Sequence, residues 1–168
     1  MDPEPNDVII LGAIKSGAKK FNKIRKVTKI DPEEINSTLE RLEQRGLISV
    51  SEKKGLFGKK IEIIITEKGE KELENRIHEL EDNWKQMSFI YKSGDKVKLK
   101  QYMEENKFSF KEMMFFGVLD MMMFSMMFSM IGMSMTSFIP LEDIPQDMSD
   151  GGDMDGVGGD GFDIDIGF

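Results

Sequence analysis

The chain has 168 residues, with 23 Lys and Arg against 31 Asp and Glu, and no cysteine. That length suits about one domain plus appendages, and the absence of thiols excludes a disulfide scaffold, a thiolate metal site and a cysteine nucleophile. The net charge of −8 is unevenly spread, because residues 140–168 hold nine acids and no base while residues 1–65 hold 13 bases and 10 acids.

From the start, "MDPEPNDVII" places acids before a short apolar run with no basic region, unlike a signal peptide. Val8, Ile9, Leu11, Gly12 and Ile14 then predict a short buried helix that stops near Gly17. A second helix is predicted where Phe21, Ile24 and Val27 recur every three residues, its other faces carrying Lys19, Lys20, Lys23, Arg25 and Lys26. Seven bases and no acid lie between Lys15 and Lys29.

The third predicted helix has Asp31 at its N-cap, Pro32 in its first turn, Glu34 three residues after the cap, and Gly46 as its stop. Its core face is Ile35, Leu39 and Leu42, which turns Ser37, Arg41 and Gln44 away from the core. Two β-rich runs follow, "LISVSEKK" and "KKIEIIITEK", joined by Gly55-Leu-Phe-Gly58 into a hairpin whose tip bears Lys53, Lys54, Lys59 and Lys60. Residues 1–66 are therefore expected to form one mainly helical domain with a small β-hairpin.

These residues resemble a known family. "VTKIDPEEINSTLERLEQRGLISV", a glycine-containing hairpin and "IEIIITEKGEKELE" together look like the winged helix-turn-helix of multiple-antibiotic-resistance and phenolic-acid-repressor regulators, over about residues 6–75. The resemblance implies that the third helix enters the major groove of double-stranded DNA and that the wing touches backbone or minor groove. On this reading Lys19, Lys20, Lys23, Lys26, Lys53, Lys54, Lys59 and Lys60 hold phosphates, while Ser37, Thr38, Arg41 and Gln44 face the groove. The five Asp and Glu against two Arg within residues 31–45 oppose phosphate, which keeps a protein-docking role for the domain in view.

Residues 67–93 read as one long amphipathic helix, since Leu73, Ile77, Leu80, Trp84, Met87 and Tyr91 alternate in steps of four and three. The spacing fits either a coiled-coil homodimer seam or a helix packed on its own domain, and the family resemblance favours the dimer. The single histidine, His78, falls in "NRIHELED" and reads as a solvated helix residue. A shorter amphipathic helix is predicted over 95–107.

Ser109 and Glu112 predict a capping box that opens a methionine-rich helical segment, residues 109–139. Ten of the 15 methionines lie between 113 and 139, and no charge occurs from Met121 to Ile139. Three readings stand: a membrane span, a surface for hydrophobic protein segments built from Met121, Met122, Phe124, Met126, Met127, Phe128 and Met130, or a buried helix. The second makes the protein a targeting factor or holdase. Its composition is similar to the methionine-lined groove of the signal recognition particle.

Residues 140–168 combine acids with glycine and are expected to be disordered. Their end, Phe162 to Phe168, resembles the acidic tip of bacterial single-stranded-DNA-binding proteins, in which Phe162, Asp163, Asp165 and Phe168 would dock into a basic, apolar pocket. Neither a phosphate-cradling glycine loop nor a nucleophile paired with a base is present, so the chain reads as a non-enzyme without cofactor or metal. The expectation is a cytoplasmic, dimeric winged-helix regulator of transcription, with a methionine-rich partner or membrane segment and a regulatory acidic tail.

Overall fold

The computed structural model describes residues 5–140 apart from Phe57, and omits the side chains of Lys53 and Lys59. The chain divides into two compact units, the first ending at Glu79 and the second beginning at Leu80.

The first unit is a winged helix. α1 (Pro5–Lys15) is apolar on every face, and Val8 through Ile14 are all buried, as expected of a central core helix. α2 (Phe21–Thr28) and α3 (Pro32–Gln44) pack around it through Ile24, Ile35 and Leu42. Three residues, Lys29 to Asp31, join α2 to α3. Lys29 adopts φ 57° and donates its N–H to the Arg25 carbonyl, while the buried Ile30 anchors the turn. Pro32 opens α3, but the Asp31 side chain makes no capping hydrogen bond. The expected core face of α3 is shifted: Thr38 is buried beside Ile35 and Leu42, and Leu39 is half-buried.

β1 (Ile48–Gly55) and β2 (Gly58–Ile65) form the antiparallel wing, in register from Ile48 opposite Ile65 to Gly55 opposite Gly58. The Ile63 N–H donates to the Lys19 carbonyl at 2.9 Å, which ties the loop before α2 to the edge of β2.

α4 (Glu67–Ser93) begins in the first unit and ends in the second. Its start is fixed by one side chain: the Thr66 hydroxyl donates to the Gly46 carbonyl at 2.7 Å and accepts the Gly69 N–H at 3.1 Å. The expected homodimer seam is divided between two intrachain cores. Leu73 and Ile77 are buried in the first unit, and Leu80 and Met87 in the second, where Trp84 and Tyr91 are half-buried against the same core. An apolar stripe in steps of three and four specifies a buried helix face without specifying what covers it.

The second unit continues with α5 (Lys96–Glu105), α6 (Phe110–Phe115) and α7 (Met121–Ile131), with short 3-10 turns at Lys107–Ser109 and Met135–Ser137. Its core joins Leu80, Met87, Leu99, Met103, Phe110, Met113, Phe124, Met127 and Phe128. The methionine-rich segment is thus several short elements rather than one helix. Gly117 (φ 64°) and Gly132 (φ 73°) bound α7, and no helix among the described residues is long and apolar enough to cross a membrane. Asp120, an apparent liability for a membrane span, caps α7 by accepting the N–H groups of Met122 and Met123. Ser109 makes no side-chain capping bond, and Glu112 is buried within α6. Tyr102 has its phenol raised above the usual value, first by burial and then by the neighbouring Glu105 carboxylate.

Candidate nucleic-acid interface

The basic residues of the first unit fall into two groups that the sequence does not separate. Arg41 and Arg45 are held by acids of their own chain: Arg41 Nη2 lies 2.8 Å from Asp7 Oδ1 and 3.1 Å from the Thr38 hydroxyl, while Arg45 Nη2 lies 2.9 Å from Glu72. Arg45 Nη1 approaches the second Asp7 oxygen at 3.8 Å. Asp7 is itself buried, so these pairs hold α1, α3 and α4 in place. A carboxylate in that position needs its cations, because losing one partner of a buried pair leaves a charge without compensation.

Lys19, Lys20, Lys23, Lys26 and Lys29 form the second group. All are exposed, and none makes an ion pair among the described residues. α2 presents Lys23 and Lys26 because Phe21, Ile24 and Val27 use its opposite face, while Lys19 and Lys20 precede the helix and Lys29 follows it. Lys54 and Lys60 are exposed on the wing, and the bond from Ile63 to Lys19 couples that hairpin to the same basic loop. Lys53 and Lys59 occupy wing positions opposite Lys60 and Lys54, and their side chains lie outside the described residues.

The outward face of α3 carries Glu33, Asn36, Ser37, Glu40 and Gln44. The Ser37 hydroxyl donates to the Glu33 carbonyl at 3.0 Å, leaving its oxygen free to accept a further donor. Of the four residues expected to face a groove, Ser37 and Gln44 are exposed. Thr38 is fully buried and Arg41 is held by Asp7, so both act within the fold here.

Of the residues expected to bind an apolar partner, Phe124, Met127 and Phe128 are core, and Met121 and Met130 are half-buried. Met122 and Met126 remain exposed, at 56% and 40%. Phe162, Asp163, Asp165 and Phe168 lie outside the described residues. Sequence reading missed the Asp7–Arg41 pair. Its signal was an acid at the start of an apolar helix that has no other charge before Lys15.

The architecture places a three-residue turn between two helices, a basic first helix and a basic wing on one small domain. A family described as HxlR-like helix-turn-helix matches residues 6–90, half of the chain. No curated protein and no solved structure matches it.

Proposed function

The chain belongs to the HxlR-like helix-turn-helix family of DNA-binding transcription regulators, and from that premise we propose how this member holds DNA. Lys19, Lys20, Lys23 and Lys26 neutralise phosphates beside the major groove, and Lys54 and Lys60 do so from the wing. Ser37 and Gln44 meet base edges or phosphates from α3. The supporting observation is the set of exposed lysines on and just before α2 that have no ion pair among the described residues, while Arg41 and Arg45 are engaged by Asp7 and Glu72.

The acids of α3 set a condition on this reading. Glu33 and Glu40 repel phosphate, so α3 sits with its carboxylates over base edges, where a carboxylate accepts from the cytosine amino group. Affinity then comes chiefly from α2 and the wing. A DNA-binding role places the protein in the cytoplasm. The alternative, uptake of hydrophobic protein segments by the methionine-rich unit, has only Met122 and Met126 as its exposed share of the expected surface.

Replacing Lys23 and Lys26 together by alanine tests the assignment. Each lost phosphate contact removes about 0.9 from the slope of log affinity against log salt. The double variant should bind random duplex DNA more weakly at low salt, with a slope shallower by about 2. An unchanged slope would remove α2 from the interface. The fold should survive, because both side chains are exposed and unpaired among the described residues.

A further inference from the structure

The wing is more apolar than a DNA-contacting hairpin requires. Val50 is 42% exposed and Ile61 54% exposed, and the register puts the Val50–Ile63 and Glu52–Ile61 pairs on one face. The opposite face carries Ser49, Ser51, Lys60 and Glu62, together with Ile64, which is 40% exposed.

One edge of this hairpin is open among the described residues, since β1 pairs only with β2. The ladder shows which groups that edge presents. The Ile63 N–H points away from β1, toward Lys19, so Val50–Ile63 is a non-hydrogen-bonded pair. Alternation along an antiparallel ladder then turns the peptide groups of Val50, Glu52 and Lys54 outward from β1, while those of Ser51 bond across to β2. An open edge with exposed apolar side chains is a template for another strand.

The end of the chain carries a matching pattern. Phe162, Ile164, Ile166 and Phe168 alternate with Asp163, Asp165 and Gly167, so an extended backbone puts all four apolar residues on one face and both acids on the other. The segment is otherwise unlike its surroundings, since residues 140–161 contain seven of the nine terminal acids and no such alternation.

We infer that residues 162–168 of the chain's own C-terminal segment add to the outer edge of β1 as a third strand of the wing. Phe162, Ile164, Ile166 and Phe168 cover the face that holds Val50 and Ile61. Asp163 and Asp165 fall on the face that holds Lys60, and the remaining tail acids face the unpaired lysines of the basic domain. Main-chain bonds give this kind of strand addition its affinity, and alternate side chains give it specificity. The 22 residues from Pro140 to Gly161 reach roughly 75 Å when extended, against roughly 40 Å for the 27-residue α4, so tether length does not prevent docking. A strand held on the wing blocks the wing's approach to DNA, which makes the tail an internal competitor. That regulatory consequence rests on the proposed DNA interface; the strand addition itself does not.

Amide hydrogen exchange on the full-length protein separates the two claims, using full-length Ile164→Asn/Ile166→Asn as the comparison. The outward N–H groups of Val50, Glu52 and Lys54 should exchange at least roughly tenfold faster in the variant, while that of Ser51 changes little. Equal rates in the two proteins overturn the strand addition. Protection that disappears on about hundredfold dilution assigns the strand to a second copy and overturns the intramolecular form. The variant should also bind duplex DNA more tightly. A change in exchange without a change in DNA affinity overturns the competition while leaving the added strand in place.

Discussion

Replacing Gly69 by alanine is expected to destabilise the winged-helix unit by about 3 kcal/mol or more, the upper end of what overpacking costs. A Cβ at this position would sit 2.1 Å from the Leu47 carbonyl oxygen and 2.8 Å from Ile65 Cγ1. The first of these is backbone at the start of the wing, so no rotamer change relieves the clash. Relief requires the first turn of α4 to move off the hairpin, which breaks the Thr66 N–H bond to Leu47 and the Thr66 hydroxyl bond to Gly46. Far-UV circular dichroism against denaturant should show the earlier loss of structure, together with loss of DNA binding at temperatures where the parent chain binds. An alanine variant as stable as the parent would mean that α4 does not approach the wing this closely.

The second large effect lies in the methionine-rich unit. Phe124→Ala should cost about 4 kcal/mol, the usual loss for a fully buried phenylalanine. Phe124 has no exposed surface and stands edge-on to three aromatic rings, with centroids 4.8 Å from Phe128, 5.1 Å from Phe110 and 6.3 Å from Trp84. Methionines fill the remaining space, and their flexible thioethers collapse only partly into the void. Trp84 is the single tryptophan of the chain, so its fluorescence reports on this unit directly. The midpoint read from Trp84 should fall sharply in the variant. A shift no larger than that of Met122→Ala, an exposed position on the same helix, would contradict the core described here.

The winged helix was legible because each of its parts has a local cause. Pro32 can open a helix, Gly46 can take φ 74°, and the β-branched runs around Gly55 and Gly58 can only pair as a hairpin of that length. The glycine of the "TEKG" start has a cause that is not local, since it is a neighbouring carbonyl that excludes a side chain. Partner choice was not legible for the same reason. The stripe from Leu73 to Tyr91 has the spacing of a dimer seam, yet its members are buried or half-buried by their own chain, because periodicity records that a face is covered and nothing about what covers it.

The candidate site shows the same division. Exposure of the α2 lysines followed from the three-residue apolar spacing of Phe21, Ile24 and Val27. The fate of Arg41 did not, because its partner Asp7 is 34 residues away in sequence. Thr38, expected to face the groove, is fully buried, and its hydroxyl accepts from Arg41 instead. In the methionine segment, composition alone suggested a span of nineteen uncharged residues, whereas two left-handed glycines and the capping Asp120 cut out an eleven-residue helix.

In the proposed interface, exposed and unpaired lysines on and just before α2 and on the wing hold DNA phosphates. The most direct test is the affinity of the full-length protein for random duplex DNA, measured across a range of salt concentrations. Six such lysines, Lys19, Lys20, Lys23, Lys26, Lys54 and Lys60, predict a slope of log affinity against log salt approaching about −5 per protomer when all are in contact. A slope near zero, or no binding at low salt, would contradict this interface.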